Sequence, residues 1–308
     1  MTKHDYITKI IKNPYKLIKY AFDNAPYLST FVPDKVYLKI IYRSKFGRKL
    51  DLKNPQTYNE KLQWLKLYDH KEIYTTLVDK QLVKKYVSNI IGEEYIIPTL
   101  ASYNSFDEID FGELPDKFVL KTTHDSGGVV ICTDKATLDI QETKKVLTSH
   151  LKKSFFYQGR EWPYKNINPK LIAEKYMVDE SGYELKDYKF FCFNGTAKAM
   201  FIASDRGMCN EETKFDFYDM EFNHLPFTNG HPNSTKNIKK PKSFDKMKQL
   251  AEILSKDIPQ VRVDFYDING KIYFGEMTFF HWGGFVPFEP EFWDYEFGSW
   301  IQLPKPDK

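Results

Sequence analysis

The sequence is poor in cysteine and has no long apolar run, and both features narrow the class of protein. Only three cysteines occur in 308 residues, Cys132, Cys192 and Cys209, and none belongs to a Cys-x-x-Cys pair. This pattern favours buried free thiols in a reducing compartment. No stretch holds 18 consecutive apolar residues, and the opening MTKHDYITKI contains no signal-peptide core. We therefore expect a cytoplasmic protein without a membrane span.

Several motifs for binding nucleotides or nucleotide sugars are also missing. The chain has no Gly-x-x-x-x-Gly-Lys-Ser/Thr, no Gly-x-Gly-x-x-Gly after a strand and no Asp-x-Asp. The first absence excludes a P-loop, and the second leaves a dinucleotide fold without support. The third counts against a metal-dependent glycosyltransferase, whereas metal-free types stay open. No basic segment with interleaved aromatic residues indicates binding to nucleic acid.

Positive charge is concentrated at the N-terminus. Residues 1–53 hold 12 Lys/Arg and 4 Asp/Glu, whereas the remaining residues hold 33 and 38. Apolar residues recur at helical spacing over 5–23 and 33–46, with lysines between them. A basic arm on a mildly acidic body indicates attraction to an anionic membrane face or polymer. The alternative is a solvated helical arm that packs on its own protein.

The rest of the chain predicts an α+β fold with two or three lobes. Helices are expected over 57–69, where Thr57 and Glu60 form a capping-box pattern, and over 71–90. A short strand is expected over 95–97, stopping at Pro98. From residue 117 onward strands and helices alternate, with hairpin turns at Asn194-Gly195 and Asn269-Gly270. The expected divisions are a basic helical arm over 1–55, an N-terminal subdomain over 56–116, and two further subdomains over 117–180 and 181–308.

The stretch FVLKTTHDSGGVVIC joins two predicted strands through a small glycine-containing loop. Lys121 lies at the end of the first strand, and Ser126, Gly127 and Gly128 form the connection. Backbone N–H groups of glycines can approach phosphate oxygens closely because no Cβ intervenes. The loop is therefore a candidate phosphate cover, although a Gly-Gly pair in a hairpin is more often only a turn.

The stretch VRVDFYDINGKIYFGEMTF predicts a hairpin with charged residues on one face. Strand alternation puts Arg262 and Asp264 on the same face, and Glu276 and Thr278 share a face of the partner strand. Counting from the turn places Asp264 almost opposite Glu276, with an offset of one that a β-bulge would absorb. Two adjacent carboxylates suit Mg²⁺ together with substrate phosphates. The alternative is an ion-paired sheet surface. Lys189, on an otherwise apolar strand, also requires an anionic partner.

These segments resemble the TupA-like ATP-grasp family, and the resemblance extends over roughly residues 35–303. It rests on NPQTYNEKLQWLKLYD, FVLKTTHDSGG, LIAEKYM, DYKFFCFNG, the hairpin above and WDYEFGSWIQLPK, in that order. The resemblance implies an ATP-grasp fold, in which two α+β subdomains clamp ATP, with a helical N-terminal region. It also implies nucleotide contacts by Lys121, the glycine loop, Lys189 and the strand end Glu174, Lys175, Tyr176 and Met177. The Mg²⁺ ligands would be Asp264, Glu276 and Thr278, the last standing where the family has asparagine.

The same resemblance implies a ligase that joins an amine or amino acid to a carboxylate through an acyl phosphate. The carboxylate would belong to a uronic acid of a surface polysaccharide, and peripheral contact with the inner membrane or with polysaccharide machinery would fit the basic arm. Arg262, Lys189 and His281 are the expected catalytic residues, and His124, Asp125 and Arg206 are further candidates for acceptor contact. The alternatives are a glycosyltransferase that uses a nucleotide sugar and a non-catalytic nucleotide-binding scaffold.

Overall fold

The computed structural model describes residues 13–179, 182, 185–205, 212–236 and 238–305. Within these ranges, six α-helices precede the first strand, and four more are interspersed with or follow the strands. They are α1 (Tyr15–Asn24), α2 (Pro26–Thr30), α3 (Asp34–Phe46), α4 (Tyr58–Tyr68), α5 (Ile73–Val78), α6 (Leu82–Ile91), α7 (Ile140–Leu151), α8 (Phe156–Gly159), α9 (Phe244–Leu254) and α10 (Phe292–Trp300).

The strands form two antiparallel sheets. The four-stranded sheet has the order β1-β4-β2-β3, and the six-stranded sheet has the order β10-β9-β5-β6-β7-β8. The strands are β1 (Thr99–Tyr103), β2 (Phe118–Thr122), β3 (Val129–Cys132), β4 (Leu171–Lys175), β5 (Asp187–Phe193), β6 (Thr196–Ser204), β7 (Lys214–Tyr218), β8 (His224–Leu225), β9 (Val261–Ile268) and β10 (Lys271–Thr278).

Local sequence signals explain the two tight hairpins of the six-stranded sheet. Asn194 and Asn269 adopt φ values of 50° and 55°, and the glycine after each also has positive φ. This is the geometry that Asn-Gly supplies in a two-residue hairpin turn. The predicted register of the second hairpin is confirmed, because Glu276 pairs with Asp264 across a bulge between Phe274 and Glu276.

Helix α4 also begins as its sequence predicts. The Thr57 hydroxyl accepts a hydrogen bond from the Glu60 backbone N–H at 3.2 Å, and the Glu60 carboxylate accepts one from the Thr57 N–H at 3.3 Å. This reciprocal capping satisfies two backbone donors at the start of the helix. The helix then carries Gln63 and Lys66 into the interior, where both are buried.

Two expectations for local structure between residues 71 and 97 were wrong. The single helix expected over 71–90 is broken into α5 and α6, because the Asp79 side chain accepts hydrogen bonds from the backbone of Gln81 and Leu82 and caps the second helix. No strand forms over 95–97, because Tyr95 ends a short 3-10 turn at Glu93–Tyr95 and Ile96 makes an isolated bridge to Phe274. Strand β1, which follows Pro98, was not expected. It pairs with β4 through a bulge near Thr99.

Three hydrophobic clusters underlie this architecture. The largest surrounds the six-stranded sheet, a second packs α7 against the four-stranded sheet, and a third joins α3 to Phe285 near the C-terminal end. Cys132 and Cys192 are buried free thiols, as expected, while Cys209 lies outside the described residues. The predicted subdomain boundaries stay predictions.

Among the described residues, none of the helices has the length and apolar character needed to cross a bilayer.

Candidate active site

A cavity of about 490 Å³ lies between the loop of the first hairpin and the last hairpin of the six-stranded sheet. Asp125 and Ser126 reach it from the β2–β3 loop, and Lys189 and Arg262 reach it from β5 and β9. Of the other residues singled out in the sequence, Glu276, Thr278 and His281 also line this cavity. The cavity therefore brings together predicted residues that are far apart in the chain.

The charged side chains of β5 and β9 form one buried network. Arg262 donates from Nε and Nη2 to the two oxygens of Asp264, each at 2.7 Å, in the planar geometry typical of a guanidinium–carboxylate pair. Lys189 lies opposite Asp264 in the sheet register and donates a hydrogen bond to the same carboxylate. Its Nζ is also 3.2 Å from Asp187. Lys189 therefore has the anionic partner that its position in the sequence required.

Arg262 also connects β9 to β10. Its Nη2 donates to Glu276 Oε1 and to the Thr278 hydroxyl, each at 3.0 Å, and that hydroxyl lies 3.2 Å from Glu276 Oε1. Because Gly275 lies at the bulge, its backbone packs closely on the Asp264 carbonyl, which an added Cβ would approach to 3.1 Å. The bulge therefore aligns Glu276 with Asp264 on the cavity face.

The network fixes the protonation of its members. Burial alone would raise the pKa of Glu276, but Lys189, Arg262 and Lys80 lower it to about 2. Burial alone would lower the pKa of Arg262, but Asp264 and Glu276 outweigh burial and raise the pKa of this guanidinium above its ordinary value. Burial lowers the pKa of Lys189, and Asp264 counteracts that effect. At neutral pH Glu276 is thus an anion with cations around it.

His281 uses both ring nitrogens to hold the network in place. Nδ1 accepts a hydrogen bond from Arg262 Nη1 at 2.8 Å, so Nε2 carries the proton and donates to Asn229 Oδ1 at 3.0 Å. Burial and the nearby Arg262 and Lys189 hold the pKa of His281 well below its usual value. The imidazole is therefore neutral and already hydrogen-bonded on both sides. This geometry favours a positioning role for a residue that was expected to be catalytic.

The sequence analysis did not identify Asn229. It lies in the polar loop between β8 and α9, is almost fully buried, and donates from Nδ2 to the carbonyls of Val286 and Pro287. Its side chain thus joins His281 to the segment that follows it. The Asn229-Gly230 dipeptide indicates only a turn, so the sequence alone offers no signal for this role.

The donors around Glu276 fit Mg²⁺ in kind and in charge. Asp264, Glu276 and Thr278 offer hard oxygen atoms, and the depressed pKa of Glu276 keeps it ionised. Glu276 Oε2 has no hydrogen-bond partner among the described residues, whereas both oxygens of Asp264 are engaged by Arg262 and Lys189. The described residues contain no cluster of three or more His, Cys, Asp or Glu suited to a metal. Further ligands would therefore come from water and from substrate phosphates.

The loop of the first hairpin is held rigidly at its base. The Asp125 carboxylate accepts hydrogen bonds from the Thr122 hydroxyl and from His150 of α7, while Lys80 donates to the Asp125 carbonyl. At Gly128 an added Cβ would lie 2.8 Å from Asp125 Oδ1, so only glycine fits there. Asp125 is thus occupied in supporting the loop. Neither His150 nor Lys80 was identified from the sequence.

The other candidates for acceptor contact differ in position. His124 Nε2 bonds the Lys153 carbonyl at 3.0 Å, and His124 is not among the residues that line the cavity. Ser126 and Gly127 are exposed at the tip of the loop. Arg206 lies outside the described residues.

Two other predicted nucleotide contacts, Lys121 and Glu174, belong to a second, separate charged group. Glu174 on β4 lies 2.7 Å from Lys121 Nζ and 2.5 Å from Lys84 Nζ, and it is nearly fully buried. Burial would raise the pKa of Glu174, but the two lysines outweigh burial and lower it. Lys175 is exposed at the strand end, and Tyr176 and Met177 are half-buried. None of these residues lines the 490 Å³ cavity.

Two polar residues that the sequence analysis missed also line the cavity. Glu161 follows α8, and Tyr164 ends the short 3-10 turn at Trp162–Tyr164. Next to them, Lys66 of α4 donates to the carbonyls of Gly159 and Gly283 at 2.8 and 2.6 Å. No local motif predicts this grouping, because its members come from segments almost 100 residues apart in the chain.

Comparison with known proteins supplies the family. The model of the TupA-like ATPgrasp family matches residues 60–302, more than three quarters of the chain. No curated protein sequence matches it.

Three solved structures are similar at low identity. They are D-alanine–D-alanine ligase from Bacillus anthracis complexed with ATP (16% identity, 66% of this chain, TM-score 0.39), L-amino acid ligase from Bacillus licheniformis (8%, 80%, 0.41) and N5-carboxyaminoimidazole synthetase from Staphylococcus aureus complexed with ADP (15%, 74%, 0.39). The chain covers 53% of the length of each.

Proposed function

Because the chain belongs to the TupA-like ATP-grasp family, and therefore has the ATP-grasp fold, we propose that it is an ADP-forming carboxylate–amine ligase. The observation that carries the proposal is the network in which Lys189 and Arg262 meet Asp264 and Glu276 at the wall of the cavity. Such a group neutralises charge that develops on a phosphoryl group during its transfer.

In the proposed reaction a substrate carboxylate attacks the γ-phosphorus of ATP, and ADP leaves. An amine then attacks the acyl phosphate, so that a C–N bond forms while the C–O bond to phosphate breaks. Lys189 and Arg262 hold the transferred phosphoryl oxygens, and His281 keeps Arg262 in place through the 2.8 Å hydrogen bond to Nδ1. When bound, Mg²⁺ held by Glu276, Asp264 and Thr278 would offset negative charge on the phosphates.

The nucleotide is proposed to extend from this network toward the four-stranded sheet. There Lys84 and Lys121 share the single carboxylate of Glu174, which leaves an excess of positive charge beside the glycine loop. Lys121, Ser126, Gly127 and Gly128 would face the phosphates. The strand end Glu174, Lys175, Tyr176 and Met177 would face the base.

The carboxylate substrate is proposed to be a uronic acid of a surface polysaccharide. Trp282 supports this proposal because it lines the cavity and is 41% exposed, with one face stacked on Phe215 at 6.0 Å. An exposed indole ring at the rim of a polar cavity suits contact with the apolar face of a sugar.

Peripheral binding to an anionic membrane is proposed for the N-terminal arm. Helices α1 and α2 leave Tyr20, Tyr27 and Leu28 exposed, and Phe31, just after α2, is 84% exposed. Lys16 and Lys19 of α1 precede these exposed residues and supply the positive charge that an interfacial helix uses. If deletion of residues 1–30 leaves binding to anionic phosphatidylglycerol vesicles unchanged, this part of the proposal is wrong.

The first test of the ligase proposal is thermal unfolding with Mg²⁺ and either ATP or a panel of UDP-sugars. A ligand at about 100 times its Kd should stabilise the protein by about 2.7 kcal/mol. We expect ATP to stabilise the wild type and the Lys117→Met control, and to stabilise Lys121→Met much less. Stabilisation by a UDP-sugar and not by ATP would favour a glycosyltransferase instead.

The second test traps the acyl phosphate. With ATP, Mg²⁺, hydroxylamine, and either glucuronate or galacturonate, the wild type should release ADP and form a hydroxamate. Arg262→Met should not form it. If the wild type releases no ADP with either uronate, the substrate assignment fails. Stabilisation by ATP in the unfolding test would still support the nucleotide site in that case.

A further inference from the structure

Glu161 is a buried carboxylate that faces the cavity without a partner. Only 7% of the residue is exposed, and the described residues provide no hydrogen bond or ion pair to its side chain. Tyr164, which is half-buried and also lines the cavity, has no hydrogen-bond partner for its hydroxyl among the described residues. Buried polar groups are normally hydrogen-bonded, so a buried carboxylate without a partner at the cavity, with a free hydroxyl at the same cavity, indicates a bound ligand.

The protein holds Glu161 firmly in this position. The preceding residue, Arg160, adopts a φ of 54° and is almost completely buried. Its Nε lies 2.8 Å from Asp34, and its guanidinium packs over the Tyr37 ring at 4.3 Å. It also donates a hydrogen bond to the Ser29 carbonyl. Helices α2 and α3, which lie before the residues matched by the family model, therefore anchor the segment that carries Glu161.

Lys66 lies near Glu161 but does not neutralise it through a direct ion pair. Its three protons are donated to Gln63 Oε1 and to the carbonyls of Gly159 and Gly283, at 3.1, 2.8 and 2.6 Å. The nitrogen also lies over the Phe285 ring at 4.4 Å. Burial raises the pKa of Glu161, and the nearby Lys66 charge counteracts this. The carboxylate therefore gains most from a cation that reaches it directly.

The surroundings of Glu161 define the ligand further. Phe155, Phe280, Phe285 and Trp282 give this part of the cavity an aromatic lining. The same cavity is lined by the cations Lys80, Lys189 and Arg262. An anionic or phosphorylated group is therefore attracted to these cations, and a positively charged group is attracted to Glu161. A molecule with an ammonium group attached to an apolar portion matches the Glu161 wall.

We propose that Glu161, with the Tyr164 hydroxyl, forms the subsite for the amine substrate and accepts the proton that the amine must lose. This inference rests on the proposed ligase function and names the residues that receive the second substrate. An ammonium group is a donor that satisfies both unpartnered oxygen groups. The ligand class is a primary amine, with an apolar or aromatic portion packed beside Trp282 and Phe285.

The proposed step is balanced in atoms and charge. The ammonium transfers one proton to the Glu161 carboxylate, and the resulting neutral nitrogen attacks the acyl carbon. The C–N bond forms, the C–O bond to phosphate breaks, and the second proton leaves with the phosphate. Glu161 later returns its proton to water. No oxidant or additional reactant is required.

Benzylamine and benzyl alcohol are matched probes for this subsite, because they differ only in the polar group. By calorimetry at pH 7.5 without nucleotide, the wild type should bind benzylamine about tenfold or more tightly than benzyl alcohol, as expected for a charged hydrogen bond. Glu161→Gln, which keeps the shape, should lose this preference. Tyr164→Phe should weaken benzylamine binding by a smaller factor.

Asp294→Asn is the control, because Asp294 is an equally buried carboxylate outside the cavity that accepts a hydrogen bond from the Asn59 N–H at 2.9 Å. This variant should retain the wild-type preference. Equal binding of the two probes by the wild type, or an unchanged preference in Glu161→Gln, would refute the proposal.

A second measurement needs no variant. A water-soluble carbodiimide should couple benzylamine to Glu161 at concentrations that leave Asp294 unmodified, and peptide mass spectrometry would locate the amide. Coupling at Asp294 but not at Glu161 would overturn the inference. Neither measurement uses ATP or a uronate, and hydroxamate formation does not require Glu161 to activate the nucleophile. The failure of the amine subsite and the failure of the ligase proposal can therefore be told apart.

Discussion

The two sheets each carry a lysine–carboxylate group, and the two groups are built differently. In the six-stranded sheet, Lys189 and Arg262 meet the carboxylates of Asp264, Glu276 and Asp187, so each cation has anionic partners, and His281 braces the arginine. In the four-stranded sheet, Lys84 and Lys121 share Glu174 alone. The side chains of Lys84 and Lys121 are 15% and 22% exposed, whereas those of Lys189 and Arg262 are each 9% exposed and that of Glu276 is 42% exposed.

The rigid network of the six-stranded sheet lies where phosphoryl transfer is proposed. The group in the four-stranded sheet, which can attract an anion, lies where the nucleotide is proposed to enter. A balanced, buried network is costly to disrupt, because removing one partner leaves an uncompensated charge in a low dielectric. A partly exposed group with excess positive charge costs little to maintain and attracts an anion. Substitutions should therefore separate stability effects in one sheet from binding effects in the other.

The largest effect is expected for Arg262→Met. The substitution leaves the fully buried Asp264 with Lys189 as its remaining cationic partner, and removing one partner of a buried pair costs about 3–5 kcal/mol. Urea unfolding at pH 7.5 measures the loss. Lys84→Met in the four-stranded sheet is the comparison and should cost clearly less. Equal losses would remove the contrast between the two groups.

The second largest effect is expected for Lys121→Met, which should weaken ATP binding while leaving stability nearly unchanged. Because the side chain is partly exposed and Glu174 still has Lys84 as an ion-pair partner, we expect the free energy of unfolding to fall by about 1 kcal/mol or less. The Kd for ATP should rise by about tenfold, or about 1.4 kcal/mol. Calorimetric titration measures the Kd, with Lys117→Met, an exposed position just before the same strand, as control. A large loss of stability with unchanged ATP affinity would contradict the proposal.

A third effect is the acid sensitivity of the balanced network. His281 stays neutral in the folded protein because burial, Arg262 and Lys189 lower its pKa, whereas the unfolded chain binds a proton near pH 6.5. Below that pH the unfolded state holds more protons, so stability falls as pH falls, by up to about 1.4 kcal/mol per pH unit. In urea unfolding, the free energy of unfolding of His281→Asn should fall less steeply between pH 6.5 and pH 5 than that of the wild type. An identical slope in wild type and variant would exclude His281 as the source.

The smallest effect is expected for Thr278→Val, which tests how much of the network depends on its neutral member. The change removes one hydrogen bond to Arg262 and one to Glu276, each worth about 1 kcal/mol. We expect a loss of about 1–2 kcal/mol in urea unfolding, well below that of Arg262→Met. Thr278→Ser, which keeps the hydroxyl, should lie closer to the wild type. A serine variant as unstable as valine would indicate that the methyl group matters more than the hydrogen bonds.

The sequence predicted the elements whose causes are local. The Thr57–Glu60 capping box and both Asn-Gly turns depend on residues within a few positions of each other, and all three appear as expected. The same holds for the pairing of Glu276 with Asp264, because a tight turn and strand alternation fix the register over a short distance. The expected strand over 95–97 failed because tertiary pairing with β4 favours Thr99–Tyr103 instead.

Only part of the candidate site could be predicted from the sequence. Lys189, Arg262, Asp264, Glu276 and Thr278 were found because charged residues on apolar strands are conspicuous. Asn229, His150 and Lys80 were missed, since each acts through a partner that is remote in the chain. Glu161 gave no signal because its proposed role rests on burial at the cavity without a hydrogen-bond partner among the described residues, which only three-dimensional packing reveals.

The sequence by itself determined the family, the α+β class and the charged face of the last hairpin. Periodicity, turn chemistry and conspicuous polar residues act over short distances and need no knowledge of the fold. The tertiary structure alone decided which charges meet. It joined Lys189 to Asp264 across β5 and β9, fixed the tautomer of His281, and left Glu161 unpartnered beside Lys66. Burial and pairing depend on which distant segments pack together, and those determine the protonation and chemistry of the site.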